Sequence, residues 1–271
     1  MTLTSTLSRA PISVVLPAFN EEKDLPRLLE RLKNSLESLG RPYHIIVVDD
    51  GSADRTAEIA EEAANRMPVL LIKHARNQGL GRAMQTGLSA AGKLGGIVIT
   101  MDADNSHDPR YIGEMVEVLE RKAVDVVIAS RFRVGSQIHG VPFYRQMLSW
   151  GCFVAMKTAL PYAGVRDYST GFRAYQASAI NALVRRYGDC IVEVSGFACM
   201  LEILAKLRSV GARACEIPYT LRYDEKLGVS KLRIFRTLKQ YATVVRRFWF
   251  QPSLMRNGSL HRALLLMVPD L

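Results

Sequence analysis

Five short apolar runs punctuate the first 130 residues, and segments of helical periodicity separate them. Residues 12–17, 43–48, 69–72, 97–101 and 125–129 read as buried strands. Leu25, Leu28, Leu29, Leu32, Leu36 and Leu39 repeat at helical spacing between the first two. Further helices are predicted over 54–66, over 80–94 and from about Pro109, where proline suits a first helical turn. Strand–helix alternation builds a mostly parallel sheet flanked by helices, because a parallel crossover returns the chain over the sheet face. Such sheets bind ligands beyond the carboxyl ends of their strands. Polar clusters stand there in this chain: residues 17–22 (PAFNEE), 49–56 (DDGSADRT), 77–83 (NQGLGRA) and 102–104 (DAD). No G-x-G-x-x-G follows the first strand, so the glycines do not spell a dinucleotide site.

Past residue 130 the rhythm loosens. Residues 131–145 predict a loop, and helices are predicted over 146–160, 197–207 and 231–248. In the last, Ile234, Leu238, Tyr241, Val245 and Phe248 form one apolar stripe, facing either the domain or lipid headgroups. Arg233, Arg236, Lys239, Arg246 and Arg247 mostly fall outside it. Charge follows the same division. The net +10 is made of −1 over residues 1–110, +4 over 111–221 and +7 over 222–271. A domain over 1–232 and a basic amphipathic helical tail over 233–271 are expected.

Compartment signals are few. No apolar stretch approaches the ~20 residues of a spanning helix, and residues 1–10 lack the apolar core of a signal peptide. Cys152, Cys190, Cys199 and Cys215 form no C-x-x-C and have no histidine pair beside them, so reduced, mostly buried thiols are expected. The chain reads as cytoplasmic and able to sit peripherally on the cytoplasmic face of a membrane.

Asp102 and Asp104 carry the sharpest chemistry. Carboxylates two apart reach one ion only where a strand breaks, and few hard oxygen ligands suit Mg²⁺ or Mn²⁺ shared with substrate phosphates. A phosphatase with an aspartyl nucleophile shares a strand-end D-x-D, but it also wants a later lysine and a downstream acidic pair. The Asp-Asp of this chain lies upstream, at 49–50. A basic nucleic-acid module is a rival for the tail, where Phe235, Tyr241, Phe248 and Trp249 stand among arginines. It leaves every acidic cluster unexplained, and no nucleic acid partner is expected.

Taken in order, PAFNEE (17–22), VVDDGSADRT (47–56), NQGLGRAMQTG (77–87), MDADNSHDP (101–109), ASRF (129–132), DYSTGFRAY (167–175), GFACMLE (196–202) and GVSKL (228–232) resemble family 2 glycosyltransferases of the GT-A fold. Within them the likeness is to the dolichol-phosphate mannose synthase and polyprenyl-phosphate glycosyltransferase group. The resemblance covers roughly residues 12–232. It implies that Pro17, Phe19, Glu21, Asp49, Asp50, Gly79 and Ala103 hold a GDP- or UDP-sugar. Asp102 and Asp104 would seat the divalent ion, and Arg131, Arg145, Arg222 and Lys231 would meet the acceptor phosphate. Asp167 would orient the acceptor, or act as base toward a hydroxyl acceptor, with Glu193 as the other candidate base.

Three departures stand out. Ser106 replaces the glutamine of the usual D-A-D-x-Q-H, Arg222 lies six residues before Gly228, where the family's basic residue stands closer, and Thr170 replaces a serine. Lys226 is the alternative to Arg222. An inverting, metal-dependent transfer to polyprenyl phosphate is expected. Its rivals are the same donor with a hydroxyl acceptor and a lipid-binding scaffold with a dead site.

Overall fold

The computed structural model describes residues 10–227 and 234–250. A seven-stranded sheet runs in the order β3-β2-β1-β4-β7-β5-β8. Its strands are β1 (Ile12–Ala18), β2 (Tyr43–Asp49), β3 (Val69–Lys73), β4 (Ile97–Thr100), β5 (Val126–Ser130), β7 (Arg173–Gln176) and β8 (Ala214–Pro218). β7 runs antiparallel to both β4 and β5, and the other pairings are parallel. A second, two-stranded sheet pairs β6 (Gln137–His139) with β9 (Thr220–Arg222). The expected mostly parallel sheet is present, with one inserted antiparallel strand.

Side chains alternate across a strand, and both faces of this sheet are covered. Val14, Leu16, Ile45 and Val47 bury against α1 (Leu25–Glu37), α2 (Thr56–Ala64) and α4 (Tyr111–Arg121). Val15, Ile46 and Val48 point the other way, toward α3 (Leu80–Leu94), α6 (Ala177–Tyr187) and α7 (Cys199–Ser209). Burial on two faces explains why these strands read as unbroken apolar runs rather than alternating ones.

Two helices complete the chain, α5 (Phe143–Ala159) and α8 (Ile234–Phe250). The expected loop over 131–145 holds β6, and α5 starts at Phe143, directly after a proline, rather than at 146. Of the α8 stripe, Tyr241 and Phe248 face the domain, buried with Val244 in the same cluster as α7, while Leu238 is exposed. Arg247 pairs with Glu193 at 3.3 Å, and Trp249 Nε1 donates to the Ala159 carbonyl at 2.6 Å. The expected boundary at 232/233, residues 251–271 and Lys231 lie outside the described residues. Among the described cysteines Cys199 is buried and Cys190 exposed.

Candidate active site

A cavity of about 890 Å³ opens beyond the carboxyl ends of β1, β2 and β4. Pro17, Phe19, Glu21, Asp50, Gly79, Asp102, Ala103, Asp104 and Arg131 all contribute to its lining, drawn together from four strand ends. Asp167 and Glu193 stand behind the lining, and two further nominated residues are elsewhere. Asp49 does not line the cavity; its Oδ1 accepts from the Ser52 amide and hydroxyl and closes the turn after β2. Arg222 does not line it either, because its guanidinium is spent on Asp224 at 2.9 Å and Glu225 at 3.4 Å on the surface. Arg145 falls on α5, with its side chain outside the described residues.

Asp50 works through backbone. Its Oδ1 accepts from the Gln78 amide at 3.0 Å and Oδ2 from the Gly79 amide at 2.7 Å, and His74 Nδ1 lies 2.7 Å from Oδ1. These bonds pin the 77–79 loop to the end of β2. Gly79 has φ +92°, and a Cβ there would lie 2.5 Å from the Ser195 carbonyl oxygen. The glycine is required twice, by its dihedral and by its neighbour.

β4 ends at Thr100, so residues 102–104 are no longer extended and both carboxylates reach the same cavity. Asp102 keeps 32% of its side-chain exposure. Burial pushes its carboxyl above the ordinary range; His107 and Lys226 oppose the shift and Asp104 adds to it. Asp104 is closed in. Its Oδ1 accepts from the Ser106 amide at 3.1 Å and hydroxyl at 2.5 Å, and Lys226 Nζ donates to Oδ2 at 2.5 Å. Burial resists ionisation, but the Lys226 ammonium and Ser106 outweigh it and hold the carboxyl below its usual range.

Two carboxylates on one cavity are the donor chemistry that a divalent ion takes. Asp104 holds the Lys226 ammonium on one oxygen. Space is kept at Asp102 too, because a Cβ on Gly171 would approach Oδ1 to 3.0 Å. No cluster of three or more His, Cys, Asp or Glu side chains suited to a metal occurs among the described residues. A two-carboxylate seat completed by substrate phosphates and water is the arrangement that suits Mg²⁺. Ser106 is engaged with Asp104 instead of facing outward as a third ligand.

Arg131 forms the opposite wall. Its Nε and Nη2 donate to the two oxygens of Asp167 at 2.8 Å each, and Nη2 also donates to Ser169 Oγ at 2.5 Å. Burial disfavours both charges, but the Arg131–Asp167 attraction prevails. It raises the guanidinium pKa further and holds Asp167 down at about 2. Glu216 Oε1 accepts from the amides of Arg166 at 2.5 Å and Asp167 at 2.6 Å, which fixes the carboxylate in turn. Asp167 is fully buried, and Glu193 pairs with Lys206 and Arg247 away from the cavity lining.

Sequence reasoning passed over part of the site. His107 is buried, stacks on Phe172 with centroids 5.1 Å apart, and accepts the Asp102 amide at Nδ1 at 3.1 Å. It lies inside the 101–109 motif, and that proximity was the available signal. Ser195 and the α8 residues Arg236, Gln240 and Tyr241 line the far side, with Arg236 Nη2 donating to Ser195 Oγ at 3.1 Å.

The sheet order and acidic strand ends are those of the GT-A glycosyltransferase fold. Two crystal structures of glucosyl-3-phosphoglycerate synthase from Mycobacterium tuberculosis show the likeness. One, in complex with Mn²⁺, UDP and phosphoglyceric acid, matches at TM-score 0.61 and 18% identity, over 93% of this chain and 80% of that one. The other, with Mn²⁺, UDP-glucose and phosphoglyceric acid, matches at TM-score 0.61 and 19% identity, over 93% and 81%. The chain belongs to glycosyl transferase family 2, whose profile matches residues 13–184. A dolichol-phosphate mannosyltransferase of Pyrococcus furiosus is 32% identical over 239 residues, 87% of this chain. The chain spans 63% of that relative's length. A polyprenol monophosphomannose synthase of Mycolicibacterium smegmatis is 29% identical over 228 residues, 81% of this chain and 80% of its own.

Proposed function

We propose that the chain moves a hexosyl group from a GDP- or UDP-sugar to the phosphate of a polyprenyl phosphate, inverting the anomeric carbon, with Mg²⁺ or Mn²⁺ at Asp102 and Asp104. The observation that carries this reading is the state of Asp167. A hydroxyl acceptor needs a base, and a useful base has a pKa near the working pH. Asp167, locked to Arg131 and held at about 2, is a poor one. Glu193 is turned toward Lys206 and Arg247. A lipid phosphate is already an anion and has no proton to lose.

In the reaction a phosphate oxygen bonds to the anomeric carbon as the bond to the nucleoside diphosphate breaks, and the electron pair leaves on the diphosphate. When bound, the divalent ion supplies Lewis-acid neutralisation of that leaving charge. Pro17, Phe19 and Glu21 hold the base and ribose, and the 77–79 loop pinned by Asp50 supports them. Arg131, presented by Asp167 and Ser169, draws the second anion to the first, with Arg145 and Lys231 as further cations. The names of both curated relatives carry a dolichol or polyprenol phosphate, which favours the same acceptor class.

A lipid acceptor also gives α5 a task. Phe143, Met147, Trp150 and Val154 are all exposed and recur four, three and four residues apart, while Ser149 lines the cavity. A helix with one apolar face outward and one at the cavity suits an interfacial position. Exposed Phe235 and Phe250 on α8, with Lys239 and Arg246, extend the surface toward anionic headgroups. Among the described residues no helix is long and apolar enough to cross a membrane. The reading is a peripheral enzyme whose cavity opens at the lipid face, with the basic residues of α8 on that surface while its buried face closes the cavity.

The test is a panel of labelled GDP- and UDP-hexoses incubated with polyprenyl phosphate and Mn²⁺ or Mg²⁺, with EDTA as control. A labelled lipid of inverted anomeric configuration, lost in EDTA, is expected. Retained configuration, or turnover undiminished by EDTA, overturns the mechanism.

A further inference from the structure

The turn after β9 lies directly over the acidic loop. Arg222 N–H donates to the Ser106 carbonyl at 3.1 Å, and Leu227 N–H to Asp24 Oδ1 at 3.2 Å. Glu225 Oε2 takes Arg27 at 2.9 Å and Arg31 at 3.3 Å. These contacts deliver Lys226 Nζ to Asp104 Oδ2 at 2.5 Å, 122 residues away in sequence. The lysine side chain is 9% exposed and its partner 11%, so the pair is largely withdrawn from water.

The ammonium sits on a carboxylate that a metal would also use. Asp104 Oδ1 accepts twice from Ser106, and a divalent ion, which binds carboxylate oxygen at roughly 2.1 Å, meets the Lys226 ammonium on the same carboxylate and is repelled by it. Charge counts the same way. Asp102, Asp104 and Lys226 together leave one negative charge; adding a divalent ion makes the site positive, and adding a nucleoside diphosphate restores a negative balance. We propose that Lys226 is a resident cation that keeps the metal seat closed until a nucleoside diphosphate arrives, then turns from Asp104 to the diphosphate. The inference rests on the metal assignment made above. Its consequence is that metal and nucleotide load cooperatively, while either alone binds poorly.

The experiment measures Mn²⁺ affinity from the free-ion EPR signal, on the full chain, with and without saturating GDP or UDP. Wild type gains about tenfold or more in Mn²⁺ affinity when nucleotide is added, within the usual range of coupling between sites. Lys226→Met binds Mn²⁺ alone about tenfold more tightly than wild type and gains little from nucleotide; Lys226→Arg, keeping the charge, behaves like wild type. Lys226→Gln repeats the neutral variant should the methionine fail to fold. Unchanged or weaker affinity for Mn²⁺ alone in both neutral variants overturns the proposal. If Asp104→Asn still abolishes nucleotide-dependent Mn²⁺ binding in that case, the proposed function survives and this inference alone falls. If wild type binds no Mn²⁺ even with nucleotide, both fall.

Discussion

On the β1–β2 side of the cavity, carboxylates hold backbone: Asp50 grips the amides of Gln78 and Gly79, and Asp49 closes the turn at Ser52. On the β5–β7 side, a carboxylate holds a cation, Asp167 gripping the Arg131 fork and accepting from the Ser169 and Thr170 amides, while Glu216 holds the Asp167 backbone amide. The first wall is shaped by short-range turns at the ends of parallel strands. The second depends on groups brought from β5, β7 and β8, with the charges paired and buried. A wall of amides and carboxylates suits a neutral sugar, a base and a metal; a guanidinium wall suits an anion. The two polarities facing each other across one cavity suit the proposed transfer between two phosphate-bearing partners.

Substitutions test that contrast, beginning with the largest effect. Asp104→Ala should lower transfer by about three orders of magnitude, the scale of losing a group that stabilises developing charge, with an unchanged circular dichroism spectrum. Retained turnover in metal-replete buffer would remove the acidic wall from the chemistry. Asp167→Asn should cost about 3 kcal/mol in urea unfolding, because it leaves Arg131 charged and unmatched. Asp50→Asn, which keeps an acceptor oxygen for one amide, should cost about 1 kcal/mol; equal losses would dissolve the distinction between the walls.

Acid unfolding separates the walls again. A carboxyl depressed to about 2 in the fold, against ~3.9 unfolded, contributes on the order of 2 kcal/mol above pH ~4. That contribution disappears as pH falls from ~4 through about 2. The Asp167→Asn variant should lack this limb of the stability curve, and a limb of full size in the variant would assign it to other carboxyls. Gly79→Ala should cost about 2 kcal/mol through its positive φ and the Ser195 carbonyl, read as a lowered melting temperature. The smallest effect is at the membrane. Trp150→Ser should weaken binding to anionic vesicles by on the order of 1 kcal/mol, and unchanged binding would return the α5 face to plain solvent.

The same contrast governs what the sequence discloses. β1, β2, β4, β5 and α1 to α4 are legible because strands buried on two faces are continuous apolar runs, and because each helix repeats its apolar residues every turn; β3, expected to be buried, is an apolar run at the sheet edge with Leu70 exposed. β7 is hidden by Arg173, a fully buried arginine whose Nη atoms bond the Met200 and Tyr168 carbonyls. β8 is hidden by buried Glu216 and terminal Pro218. Both strands break the apolar pattern at residues that serve the second wall. In the site, Asp102, Asp104 and Arg131 are legible as strand-end residues. Lys226 is legible as the alternative to Arg222, but its pairing with Asp104 and the α8 lining are not, since only tertiary packing carries them to the strand ends.

The central claim is that the acceptor arrives already ionised. Initial rates with one nucleotide sugar, measured in parallel on a polyprenyl phosphate and on the polyprenol of equal chain length, test it most directly. The account predicts transfer to the phosphate and none above background to the alcohol across pH 6 to 9. A comparable rate on the alcohol, rising with pH as a base is freed, would contradict it.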